Sequence, residues 1–60
     1  MSEEILDALR RAQEAADLAR AELRLALRTA DPVQSLLILQ LIGKAATLEA
    51  DTGALIGAMQ

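Results

Sequence analysis

Apolar residues recur at Ile5, Leu9, Ala12, Ala16, Ala19, Leu23, Ala26 and Ala30, an alternating four-and-three spacing that runs unbroken through the first half of the chain. That spacing keeps side chains on one side of an α-helix, whereas a strand, with its period of two, cannot produce it. The second half repeats it at Ile38, Leu41, Ala45, Leu48, Thr52, Leu55 and Met59. Between the two stands Asp31-Pro32-Val33-Gln34, a helix restart. Asp is an N-cap, Pro fits the first helical position where its missing N–H costs nothing, and Gln three residues after the cap completes a capping box.

Two periodic segments with so little between them force a sharp reversal, so the helices must be antiparallel neighbours. The fold class expected is therefore all-α: a two-helix antiparallel hairpin, assembling into a helical bundle or coiled-coil-like oligomer. The single domain spans residues 1–60, with helix 1 over about 3–30, the turn near 31 and helix 2 over about 32–59. Ser2 is the expected N-cap of helix 1, with Glu3, Glu4 and Asp7 at the positive end of its dipole. Gly53 resembles a stop signal, but the periodicity passes straight through it.

Composition narrows the sources of stability. A chain of 60 residues buries too little surface to be comfortable alone without disulfides, metal or association. Cys and His are both absent, which removes disulfide staples, the usual zinc ligands and the imidazole base. Phe, Tyr, Trp and Asn are missing too, so the core rests on Leu, Ile and Ala. Association is what remains.

Charge limits the partners. The net charge is −3, and basic residues alternate with acidic ones on helix 1, as in Asp7 with Arg11, Arg10 with Glu14 and Asp17 with Arg20. Pairs at these spacings read as a solvated face and not as a footprint for nucleic acid. Gln13 belongs to that polar face, as do the isolated Leu6, Leu18 and Leu25. The acidic start Met1-Ser2-Glu3-Glu4 is unlike a secretory signal, and the uncharged stretch from Pro32 to Gly43 is about half of the roughly 20 residues a membrane span needs.

Helix 2 carries a second line at the same spacing, Leu39, Gly43, Ala46, Ala50, Gly53 and Gly57, which holds all three glycines of the chain. Glycine inside a helix costs about 1 kcal/mol relative to Ala, so three in one line imply a close backbone approach there. Helix 1 can be laid on either line, with Leu23 opposite Leu39 and Leu9 opposite Gly53, or with Leu23 opposite Leu41 and Leu9 opposite Leu55. Either choice leaves one line of helix 2 uncovered. The segment from Val33 to Ile42 is apolar nearly all round, which marks a helix buried on every side. Eleven of the first thirty residues are charged, against Asp31, Lys44, Glu49 and Asp51 thereafter. Helix 1 is thus the expected outer layer and helix 2 the inner one.

The expected oligomer interface comprises Leu36, Leu37, Ile38, Leu39, Leu41, Ile42, Ala45, Leu48, Leu55, Ile56 and Met59. The expected partner is another copy of the chain in cyclic symmetry, with no cofactor, metal, small-molecule ligand, nucleic acid or membrane. Gln40, Lys44, Thr47 and Asp51 form a polar stripe on helix 2 that faces solvent. No catalytic residue is assigned, because Ser2, Ser35, Lys44 and the carboxylates lack a base or orienting group at a useful spacing.

The Ser-Glu-Glu start, the Asp31-Pro32 restart, the matched helix lengths and the missing aromatics resemble designed helical-hairpin oligomers, which implies self-assembly as the function. The Rop family, a hairpin that dimerises into a four-helix bundle and binds RNA, is the nearest natural analogue in architecture, although its aromatic and basic RNA-binding face has no counterpart here. Asp31-Pro32 followed by Leu36, Leu37 and Gln40 also resembles the needle and inner-rod proteins of type III secretion, and the alternative function is a hairpin interaction module, covered by a different protein, or a filament subunit of that kind. Their tyrosines and longer second helix are absent.

Overall fold

The reversal at Asp31 organises the chain. In the computed structural model, which describes the backbone from Ser2 to Gln60, Asp31 is extended (φ −74°, ψ 173°) and caps the second helix in both directions. The Gln34 N–H donates to Asp31 Oδ1 at 2.7 Å, and the Asp31 N–H donates to Gln34 Oε1 at 3.1 Å. The Ser35 N–H then donates to the Asp31 carbonyl at 2.8 Å, opening the helical ladder. Two donors that the helix leaves without intrahelical partners are satisfied by the box, and Pro32 has no N–H to satisfy.

The two helices are α1, Ser2–Leu27, and α2, Pro32–Met59, packed as an antiparallel hairpin. The capping role expected of the Ser2 side chain lies outside the described residues. α1 ends three residues earlier than its periodicity implies. Arg28 N–H donates to Leu25 O at 3.1 Å and Thr29 N–H to Ala26 O at 3.4 Å, the tighter spacing with which helices often finish. Helix axes 8–10 Å apart need a few residues of connection, and residues 28–31 supply it while Ala30 stays half-buried beneath the turn. α2 runs through Gly53 without a break, as its spacing requires.

The contact line between the helices differs from both expected pairings. On α1 it is Leu6, Leu9, Gln13, Ala16, Arg20, Leu23, Leu27 and Ala30; on α2 it is Ser35, Ile38, Ile42, Ala45, Glu49, Thr52, Ile56 and Met59, with Ala46 and Gly53 beside them. Both lines keep the four-and-three spacing, but each is rotated from the expected one. Ile5, Ala12, Ala19 and Ala26 of the expected α1 line are exposed, and so are Leu41, Leu48 and Leu55 of α2. Gln13, Leu6 and Arg20, expected on the polar face, lie in the contact instead. The rotation brings polar groups into reach of one another: the Arg20 guanidinium reaches Glu49 Oε1 at 3.7 Å while holding Asp17 at 3.3 Å, and Gln13 Nε2 donates to the Glu49 carbonyl at 3.4 Å. Elsewhere Asp7 pairs with Arg10, not Arg11.

Little is buried. Among the described residues only Ala16, Ile56 and Thr52 are closed off from solvent, and the Thr52 hydroxyl donates back to the Leu48 carbonyl at 2.6 Å. The molecule is a plate two helices wide, 46 × 14 × 10 Å between Cα atoms. Since the capping box sits at one exposed end of this plate, Asp31→Ala should lower stability by about 1 kcal/mol, read from urea unfolding followed by circular dichroism, and leave the mass in solution unchanged.

Candidate interaction surface

At 3.6 residues per turn, the positions of the exposed side chains follow from the contact line, and they sort onto two broad faces and two edges. Gln13 and Arg20 lie to one side of the line joining the helices, where they meet Glu49 and Gly53. That side therefore holds the charged flank of α1, with Arg10, Asp17 and Arg24, next to Leu39, Gly43, Ala50 and Gly57 of α2. The opposite broad face combines Ile5, Ala8, Ala12, Ala15, Ala19 and Ala26 of α1 with Leu37, Leu41, Leu48 and Leu55 of α2. Its centre carries no charge, and Lys44, Asp51 and Glu22 lie at its rims. Gln40, Lys44, Thr47 and Asp51 run along the outer edge of α2, all exposed, while Leu18 and Leu25 mark the outer edge of α1.

The eleven residues expected at an oligomer interface divide accordingly. Ile38, Ile42, Ala45, Ile56 and Met59 are covered by α1 within the single chain. Leu36, Leu37, Leu39, Leu41, Leu48 and Leu55 are not: each is 48–65% exposed. Four of them, Leu37, Leu41, Leu48 and Leu55, share one broad face and are the dominant surface feature, because isolated exposed leucines are ordinary whereas a contiguous apolar face marks an interaction site.

The glycines separate in the same way. A Cβ at Gly53 would stand 2.7 Å from Gln13 Nε2, whereas Gly43 and Gly57 face open space. The close approach expected along the glycine line is thus met at Gly53 alone, and by a side chain instead of backbone. Arg20 Nε and Glu49 Oε2 are buried without a hydrogen-bond partner, so the polar contact across the helices is only partly satisfied. Sequence reasoning missed this contact because Gln13, Arg20 and Glu49 interrupt otherwise apolar lines. The signal that would have found it is a second four-and-three line through Leu6, Leu9, Ala16, Leu23 and Leu27.

Among the described residues no cavity opens between the helices, no group of three or more acidic side chains is placed to hold a metal ion, and no helix is long and apolar enough to cross a membrane. No family model, curated protein or solved structure matches the chain.

Two predictions follow from the contacts. Gly43→Ala and Gly57→Ala add a methyl group to open space and should each stabilise α2 by up to about 1 kcal/mol, seen as a higher melting temperature; a lower one would show that backbone from elsewhere packs there. Arg20→Ala should cost about 1 kcal/mol or less, since the pair is a quarter exposed and its geometry loose, and a double-mutant cycle with Glu49→Ala measures the coupling.

Proposed function

We propose that the chain is a structural subunit that assembles with copies of itself, with no catalytic role. The observation that carries this reading is the leucine-rich surface of α2, which α1 leaves 48–65% exposed. Its scale supports the same conclusion. A compact monomer of 6.4 kDa is expected to expose about 3,800 Å², and this chain exposes 4480 Å². The excess of about 700 Å² is close to the roughly 800 Å² that one partner contributes to a standard interface. The elongated plate accounts for part of it, and ten large hydrophobic side chains stand exposed on its surface, where an isolated hairpin would need polar residues.

A second reading, a filament subunit, has one observation in its favour: Leu39 is 53% exposed on the broad face opposite Leu41, Leu48 and Leu55. Apolar residues on both faces allow stacking to continue past two copies. Light scattering distinguishes these readings. A closed oligomer gives one mass that is a fixed multiple of 6.4 kDa, a filament gives a mass that grows with concentration, and a well-folded 6.4 kDa species at micromolar concentration contradicts both.

A further inference from the structure

The geometry points to a specific occupant for the broad face with the uncharged centre: we propose that it is a second copy of the chain, related by a two-fold axis parallel to the helices, which lays the leucines of α2 on the alanines of the partner's α1. The proposal rests on the self-assembly reading above and specifies its interface.

The first observation is the direction of the rotation. The lines expected from periodicity, Ile5 to Ala30 on α1 and Ile38 to Met59 on α2, are displaced from the observed contact line by about 50° on each helix, and both toward the same broad face. In a four-helix bundle each helix touches two neighbours at right angles, so its apolar line points between them, about 45° from either. An isolated pair would have its apolar lines aimed at each other. The sequence is therefore patterned for a second pair stacked on the side where Leu41, Leu48 and Leu55 lie.

Size and height decide the orientation. Gln13 rests against Glu49 and Gly53, so it stands level with about residue 51, and every other residue's height along the hairpin follows. A two-fold axis along the helices preserves heights. Leu55 then meets the partner's Ala8 and Ala12, Leu48 meets the partner's Ala15 and Ala19, and Leu41 falls between the partner's Ala19 and Ala26: a large side chain opposite small ones at these three levels. A crosswise axis would instead put leucines on leucines and alanines on alanines, wedging the helices apart on one side. Charge agrees with the axial form, because Lys44 comes level with the partner's Glu22 and Asp51 with the partner's Arg11 at the rim. The same pairs form again by symmetry. All four of these side chains belong to exposed residues of the single chain.

The test uses the whole chain. Its native mass should be twice 6.4 kDa, Leu48→Glu should bring it to the single-chain value, and Leu39→Glu, on the other broad face, should leave it doubled. The chain has no cysteine, so a spin label on Thr29→Cys reports the turn alone. With the turns at the same end, the distance between labels should fall well below the 46 Å length of the hairpin. A distance near that length would overturn the axial arrangement, and loss of assembly in Leu39→Glu but not in Leu48→Glu would overturn the choice of face, each while leaving self-assembly intact. A folded single-chain mass for the unaltered protein would remove the reading on which the proposal stands.

Discussion

Two helices packed side by side touch along one line, and here that line is too narrow for what α2 carries. A helix buries roughly the third of its circumference that faces a neighbour, so an apolar surface extending nearly all round it requires more than one neighbour. Val33 to Ile42 is such a surface, and α1 covers only Ile38 and Ile42 of it well. The exposure of Leu37, Leu39, Leu41 and Leu48 follows from this mismatch, as does the small number of closed-off residues. The hairpin is fixed locally by its turn and left unfinished along its length.

Within the hairpin the contact holds polar groups, Gln13, Arg20, Glu49 and Thr52, that the broad face carrying Leu41, Leu48 and Leu55 lacks. Arg20 spans Asp17 and Glu49, Gln13 reaches the Glu49 carbonyl across the turn of α2 that contains Gly53, and Thr52 is closed off beneath. Polar groups in a helix seam give up some stability and in return discriminate between registers, because a slip leaves them without partners. Gly53 belongs to the same arrangement, since a side chain there would have to displace the Gln13 amide. Arg20 Nε and Glu49 Oε2 remain buried without a hydrogen-bond partner, which lowers the stabilisation this polar contact can supply. The contact takes its leucines from α1, at Leu6, Leu9, Leu23 and Leu27, while those of α2 are directed elsewhere.

Most of the fold was legible because its determinants are local. The four-and-three spacing specifies helices wherever the partner lies, and Asp31, Pro32 and Gln34 act within a single turn, so the hairpin and its capping box could be read directly. The passage of α2 through Gly53 was legible for the same reason. The end of α1 was not, since Arg28 and Thr29 belong to the turn only because the neighbouring helix sits at a particular distance. Nor was the contact line: periodicity reports the centre of a helix's whole apolar surface, whereas the contact within one hairpin involves only one neighbour. The five interface residues that α1 covers and the six that it leaves exposed could not be separated without knowing that rotation.

If the chain completes its core by association, as proposed, its thermal stability must depend on its own concentration. Anything that binds the folded state raises its melting temperature by mass action, and when the ligand is another copy of the chain the effect appears on raising the protein concentration itself. Helical circular dichroism melts across a hundredfold range of concentration should show the midpoint rising steadily. A midpoint that stays constant over that range, with full helicity at the lowest concentration, would show that the two-helix hairpin is stable alone and would contradict the account.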